Sequence, residues 1–198
     1  MEQQSWAGAV RDMWRTALRH KIVSGLVALC VAASLIAIGL VASGSGTPAG
    51  AAPDPAAPTF SLPVLGQSGQ KIALSDYAGQ PLIVNFFASW CPPCQQETPL
   101  LAKFYRAEHG KVAIVGLDEN DVLASAMSFT HKEGVSYPVG FDPGVTAASA
   151  YGVAALPQTF FLDARHRIVD RVFGAVTLAD LNRGIALATA RSTAGLAL

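Results

Sequence analysis

From residue 59 onward the chain alternates apolar, β-branched runs with segments of helical spacing. Residues 59–65 and 71–77 flank the glycine-bearing stretch 66–70, which predicts a hairpin or a pair of short strands. "PLIVNFFAS" (81–89) is a continuous apolar run, as expected of a strand buried on both faces. Residues 94–110 have helical spacing and end at Gly110, a natural terminator. Residues 111–118 read as a second buried strand, and 121–134 as a second helix with Asp121 at its start and Gly134 at its end. "YPVGFD" leads into a short helix at 144–152. Residues 156–163 and 167–174 read as strands joined by the 164–167 turn, and a last helix starts near Thr177. The early βαβ unit implies parallel neighbours and the late hairpin an antiparallel edge. An α/β domain with a mixed sheet and helices on both faces is therefore expected.

A different pattern precedes this domain. Ile22–Ala42 holds twenty-one residues without a charge and without a polar stripe. As a helix it would reach about 30 Å, the thickness of a bilayer's hydrocarbon core. Residues 1–21 carry Arg11, Arg15, Arg19 and Lys21 against Glu2 and Asp12. The positive-inside rule then leaves 1–21 in the cytoplasm and exports everything after Ser43. The competing reading is a cleaved signal peptide, but the apolar run exceeds the roughly 7–15 residues such peptides use. Residues 43–57 are almost entirely Gly, Ala, Pro, Ser and Thr and read as a flexible linker. The expected plan is a cytoplasmic segment 1–21, a transmembrane anchor 22–42, a linker 43–57, a domain 58–190 and a tail 191–198. Over the whole chain fourteen basic residues balance fourteen acidic ones, and no basic patch lies beyond the N-terminus, so nucleic acid is not an expected partner.

The chemistry concentrates in "ASWCPPCQQE", residues 88–97. Zinc needs four ligands, and besides Cys91 and Cys94 the exported part offers only His109, His131 and His166, without paired spacing, so no metal is expected. A disulfide closing so short a loop restrains the unfolded chain least, which makes a structural staple a poor explanation. Redox thiol chemistry fits better. Cys91 follows a buried strand and stands at a helix start, where free N–H groups and the helix dipole favour a thiolate. Pro92 and Pro93 suit that start because the donors they lack would be unpaired there. Cys91 is expected to be the exposed nucleophile and Cys94 the resolving thiol.

"FFASWCPPC" after a buried strand, together with "LPQTFFLD" downstream, resembles the thioredoxin superfamily. More closely it resembles the membrane-anchored TlpA/ResA-like thiol–disulfide oxidoreductases, over roughly residues 58–190. The resemblance implies a thioredoxin-like fold with N-terminal extra strands and an insertion, across 119–152, before a cis-proline. It identifies Cys91–Cys94 as the redox disulfide, Trp90 as the neighbouring tryptophan and Pro157 as the cis-proline. Leu156 would offer its backbone as a docking edge for an extended substrate, and Pro99 would kink the active-site helix. Asn85 stands where thioredoxins carry a buried aspartate, and it cannot titrate. The ResA-like branch has a glutamate three residues after the second cysteine, matched here by Glu97, which would move the Cys94 proton and raise the Cys94 pKa. Phe86, Phe87, Phe160 and Phe161 are expected in the core, His109, His131 and His166 in solvent, and Asp118 as a solvated strand-end acid.

The resemblance implies a single-pass protein of the bacterial cell membrane with an extracytoplasmic, monomeric domain that uses no cofactor. Its implied partners are a disulfide-bearing exported protein such as apocytochrome c and a membrane electron carrier of the CcdA or DsbD type. The alternatives are a thiol oxidase of exported proteins and a peroxiredoxin-like peroxidase. The peroxidase motif places Thr or Ser three residues before a lone cysteine, where this chain has Ala88.

Overall fold

A computed structural model describes residues 54–109 and 111–194. Among the described residues seven strands form two sheets: β1 (Ser61–Pro63), β2 (Lys71–Ala73), β3 (Leu82–Phe87), β4 (Ala113–Glu119), β5 (Val139–Asp142), β6 (Gln158–Leu162) and β7 (Ile168–Phe173). The α-helices are α1 (Pro92–Ala107), α2 (Leu123–Lys132), α3 (Thr146–Tyr151) and α4 (Leu178–Ala194), and a 3₁₀ turn spans Leu74–Tyr77. β1 and β2 pair antiparallel as a separate hairpin, and the main sheet runs β5-β4-β3-β6-β7. β4 is parallel to both β3 and β5, whereas β6 is antiparallel to both β3 and β7. The mixed sheet and its antiparallel edge are as the sequence implies.

β3 is central because all six of its residues are buried. Its period of two sends Leu82, Val84 and Phe86 into one core, and Ile83 and Phe87 into the other. The first core is covered by the β1–β2 hairpin, the 3₁₀ turn and α3, where Phe86, Tyr151 and Phe160 stack with ring centroids 5.0–5.6 Å apart. The second is covered by α1, α2 and α4 through Leu101, Phe104, Phe129 and Leu181, and it includes both domain cysteines. Helices therefore lie on both faces, as expected, and all four of the named phenylalanines are core.

Several boundaries differ from the sequence expectation. The segment "YPVGFD" contributes a strand, β5, that the sequence reading did not assign. It is four residues long, follows Pro138 and contains Gly140, so neither length nor β-propensity announces it. A Cβ at Gly140 would lie 3.1–3.2 Å from Leu117, Ile72 and Leu62, and glycine there lets the hairpin pack onto the sheet. α1 ends at Ala107, short of Gly110, because His109 turns to a φ of 49°. Pro99 sits within α1, as expected; it and Gln95, whose carbonyl loses a donor, are both exposed, so water can serve the vacancy. Residues 54–57, assigned above to the linker, are held against the domain: Ala56 bridges Arg167, and Ala57 donates to the His166 carbonyl at 2.8 Å. Among the described residues no helix is long and apolar enough to cross a membrane, and the Ile22–Ala42 run lies outside them.

Candidate functional site

The two cysteines sit where β3 hands over to α1. Cys91 is the N-cap of α1, in extended conformation, with Pro92 and Pro93 opening the helix. Cys91 and Cys94 form a disulfide, with their Cα atoms 5.2 Å apart. The Cys91 Sγ accepts the Cys94 N–H at 3.3 Å, so a backbone donor and the helix N-terminus both face that sulfur. In this oxidised form Cys91 retains 3% exposure and Cys94 none. Both cysteines are therefore buried, and Cys91 is not the exposed residue expected while the disulfide is closed.

Glu97, one turn after Cys94, is 2% exposed and accepts from two neighbours. The Asn85 Nδ2 donates to its Oε1 at 2.8 Å, and the Val176 N–H donates to its Oε2 at 2.7 Å. Burial pushes its pKa from the ordinary 4.5 up to about 7, and the two hydrogen bonds oppose that rise. Glu97 is the sixth residue of α1, beyond the first turn where the helix dipole favours an acid, and it is buried where an acid kept only for the dipole would be exposed. Asn85 Nδ2 also donates to Thr159 Oγ1 at 3.0 Å, tying β3, α1 and β6 at one point. A carboxylate at position 85 would face Glu97 without a donor between them, and the asparagine supplies that donor. Buried Tyr137 is close enough for the Glu97 charge to raise its phenol pKa, a smaller effect than its own burial.

The Leu156–Pro157 peptide bond is cis, as the resemblance implied. Pro157 is buried, its carbonyl accepts the Gly174 N–H at 2.9 Å, and Leu156 packs against the cluster that contains both cysteines. Trp90 is 55% exposed and its indole N–H donates to the Asn120 carbonyl at 2.9 Å, so it borders the disulfide at the surface instead of packing beneath it. Cys91, Cys94, Glu97, Trp90, Leu156 and Pro157 thus gather at one end of the sheet.

Asp118 departs from expectation. It has no exposed surface, no N–H or neutral hydroxyl donor serves either oxygen among the described residues, and its pKa is pushed up to about 8 by burial, then by the Asp121 charge and a hydrogen bond shared with the Asp121 carboxylate. Parallel pairing sets it opposite Phe87, inside the sheet end, and not in solvent. Of the histidines, His109 and His131 are exposed, but His166 is half-buried with its Nε2 3.0 Å from the Tyr77 carbonyl. Sequence reasoning also missed Val176, whose contribution is a backbone N–H from a loop that carries no residue-type signal, and Asp121, which accepts the Ser89 N–H at 2.6 Å. Among the described residues there is no cluster of His, Cys, Asp and Glu that could hold a metal ion.

Comparison with known proteins agrees with this geometry. The thiol–disulfide oxidoreductases ResA of Bacillus thuringiensis and Bacillus subtilis are each 32% identical to the chain, over 114 and 111 residues. Those matches cover 57% and 56% of this chain, and 66% and 62% of the relatives, so the chain spans a little under two thirds of their length. A thiol:disulfide interchange protein of Chlorobium tepidum superposes with a TM-score of 0.61 at 26% identity, covering 69% of this chain and 97% of that one. A DsbF homologue from Corynebacterium diphtheriae gives 0.61 at 26% identity, covering 67% and 85%. The AhpC/TSA family matches residues 53–171, a span that holds the cysteine pair, Glu97 and the cis-proline, and the chain belongs to that family, with a thioredoxin-like fold.

Proposed function

We propose that the protein is a thiol–disulfide oxidoreductase that works by exchange at Cys91–Cys94, in the reducing direction. The observation that carries this reading is the disulfide at the α1 N-terminus with Glu97 buried one turn behind Cys94. In the dithiol form the Cys91 thiolate attacks a sulfur of a substrate disulfide. The substrate's other sulfur leaves as a thiolate, and a mixed disulfide forms. Cys94 then gives up its proton and attacks the Cys91 sulfur, which releases the second substrate thiol and closes the internal disulfide. Glu97, with its pKa near neutrality, accepts the Cys94 proton, and when ionised it disfavours a standing Cys94 thiolate. An extended substrate chain docks along the Leu156 backbone beside Pro157, with Trp90 at its edge.

The apolar run 22–42 supports a membrane tether with the domain on the extracytoplasmic side. Apocytochrome c is the substrate proposed, with a membrane electron carrier of the CcdA or DsbD type re-reducing the spent disulfide. Two features favour a reductant over a thiol oxidase: Pro92–Pro93 offers no side-chain donor or charge to the thiolate, and a glutamate lies behind Cys94. Ala88 and the closed Cys91–Cys94 pair disfavour a peroxidase.

The direct test is trapping. Reduced Cys94→Ser protein is expected to accumulate a mixed disulfide through Cys91 with a disulfide-bearing peptide, whereas Cys91→Ser does not. Adduct on Cys94 alone, or on neither cysteine, would overturn the assignment.

A further inference from the structure

The loop after β4 grips the segment leading into Cys91. Asp121 Oδ2 accepts the Ser89 N–H at 2.6 Å, Asp121 Oδ1 accepts the Val122 N–H at 2.7 Å, and the Asn120 carbonyl accepts the Trp90 indole N–H at 2.9 Å. Residues 89 and 90 are thus fixed from one side by residues 120 and 121. Behind that loop stands Asp118, fully buried, in register with Phe87 on β3 and Phe141 on β5, with no donor on either oxygen among the described residues and its carboxyl sharing a hydrogen bond with that of Asp121. A buried carboxyl without a donor is favoured as the neutral acid, whose proton the Asp121 carboxylate can accept.

We propose that Asp118 is a positioning residue for the nucleophilic cysteine: protonated, it leaves Asp121 seated on the Ser89 amide, and ionised, it repels that carboxylate and releases the Trp90–Cys91 segment. Asp121 is the partner that moves, because it is half-exposed in a loop while Asp118 is fixed on a strand. That Cys91 is the nucleophile rests on the function proposed above.

Among the described residues no neighbouring element presents a compensating positive charge. From β4 and its loop the facing groups are Glu119 and Asp121, both of which hold the Asp118 proton on. β3 carries no charged side chain, and α2 carries none before His131. On β5 the Asp142 oxygens are committed to the N–H groups of Thr146, Ala147 and Ala148, and on α1 those of Glu97 are committed to Asn85 and Val176. Burial and the Asp121 charge place the midpoint at about 8, so the segment is locked at neutral pH and loosens above it.

The test uses the oxidised full-length protein with Trp6→Phe and Trp14→Phe, so that Trp90 is the one indole. The disulfide does not titrate, and the readout needs no exchange activity. Trp90 emission is expected to change through an inflection near pH 8. That inflection should be lost in Asp118→Asn and in Asp121→Asn, each of which removes one of the two repelling charges, and retained in Glu97→Gln. A flat wild-type titration, or an inflection that persists in Asp118→Asn or in Asp121→Asn, would overturn the proposal. Should Asp118→Asn not fold, Asp121→Asn decides alone. A flat wild-type titration with mixed-disulfide trapping intact would sink only this positioning role, whereas failed trapping with the inflection present would sink the exchange reading.

Discussion

Glu97 sits between two donors and is almost wholly buried. Its two accepted hydrogen bonds favour the carboxylate, its burial favours the acid, and burial prevails to leave the pKa at about 7. A proton acceptor works best when its pKa lies near the working pH, and the proposed function gives Glu97 that role toward the Cys94 proton. Glu97→Gln should fit the same space, with its carbonyl facing the Val176 N–H and its amide facing Asn85 Oδ1, which is unpartnered among the described residues. We therefore expect Cys91 attack to be unchanged and resolution of the mixed disulfide by Cys94 to slow about 10²-fold, as a lost acid–base group does. Rapid chemical quench separates the two steps, and an unchanged resolution rate would remove Glu97 from the mechanism. The position of Glu97 was legible from its spacing to Cys94. Its burial and its Val176 donor were not, because the donor comes from a loop seventy-nine residues away.

At the scale of elements, α4 illustrates how packing overrides propensity. Leu181, Gly184 and Ala188 form its buried stripe, and a Cβ at Gly184 would fall within the Phe161 ring on β6. Alanine in a helix interior gains about 1 kcal/mol over glycine. Overpacking a filled core costs about 3 kcal/mol, so Gly184→Ala should lower stability by about 2 kcal/mol net. Denaturant unfolding measures this, and Phe161→Leu in the same chain should recover part of the loss. A stabilised Gly184→Ala protein would show that α4 does not press on β6 as described. Elements with long apolar runs, such as β3 and β4, were legible because burial on both faces leaves a continuous signature. β5 was not: its glycine is required by contacts to β1, β2 and β4, which no local window contains. Asp118 was misjudged for a related reason, since a strand-end acid looks solvated until α1, α2 and the loop at 120–121 close over it.

For the molecule as a whole, three buried acids make folding depend on pH. Glu97, Asp118 and Glu119 hold protons up to about 7, 8 and 7 in the folded state, whereas the unfolded chain releases them near the ordinary 4.5, 3.8 and 4.5. Between those limits the folded state binds more protons, so unfolding free energy falls as pH rises through that window. The Glu97 part alone amounts to about 3 kcal/mol at full ionisation. Urea unfolding from about pH 4 to pH 8 should show this decline, with a shallower slope in Glu97→Gln. A stability that climbs over the same range would contradict the burial of these groups. The thioredoxin-like architecture and the cysteine pair could be read from the chain because each is written in local pattern. The burial of the acids around the pair could not, because their environment exists only once the sheet is assembled. The measurement that tests the central claim most directly is the reduction potential of the Cys91–Cys94 couple, taken on the full-length protein with Cys30→Ser against defined thiol–disulfide buffers at neutral pH. With Glu97 disfavouring a standing thiolate behind Cys94, the account predicts a value near or below about −250 mV. A value near about −120 mV, or no titratable couple at all, would contradict it.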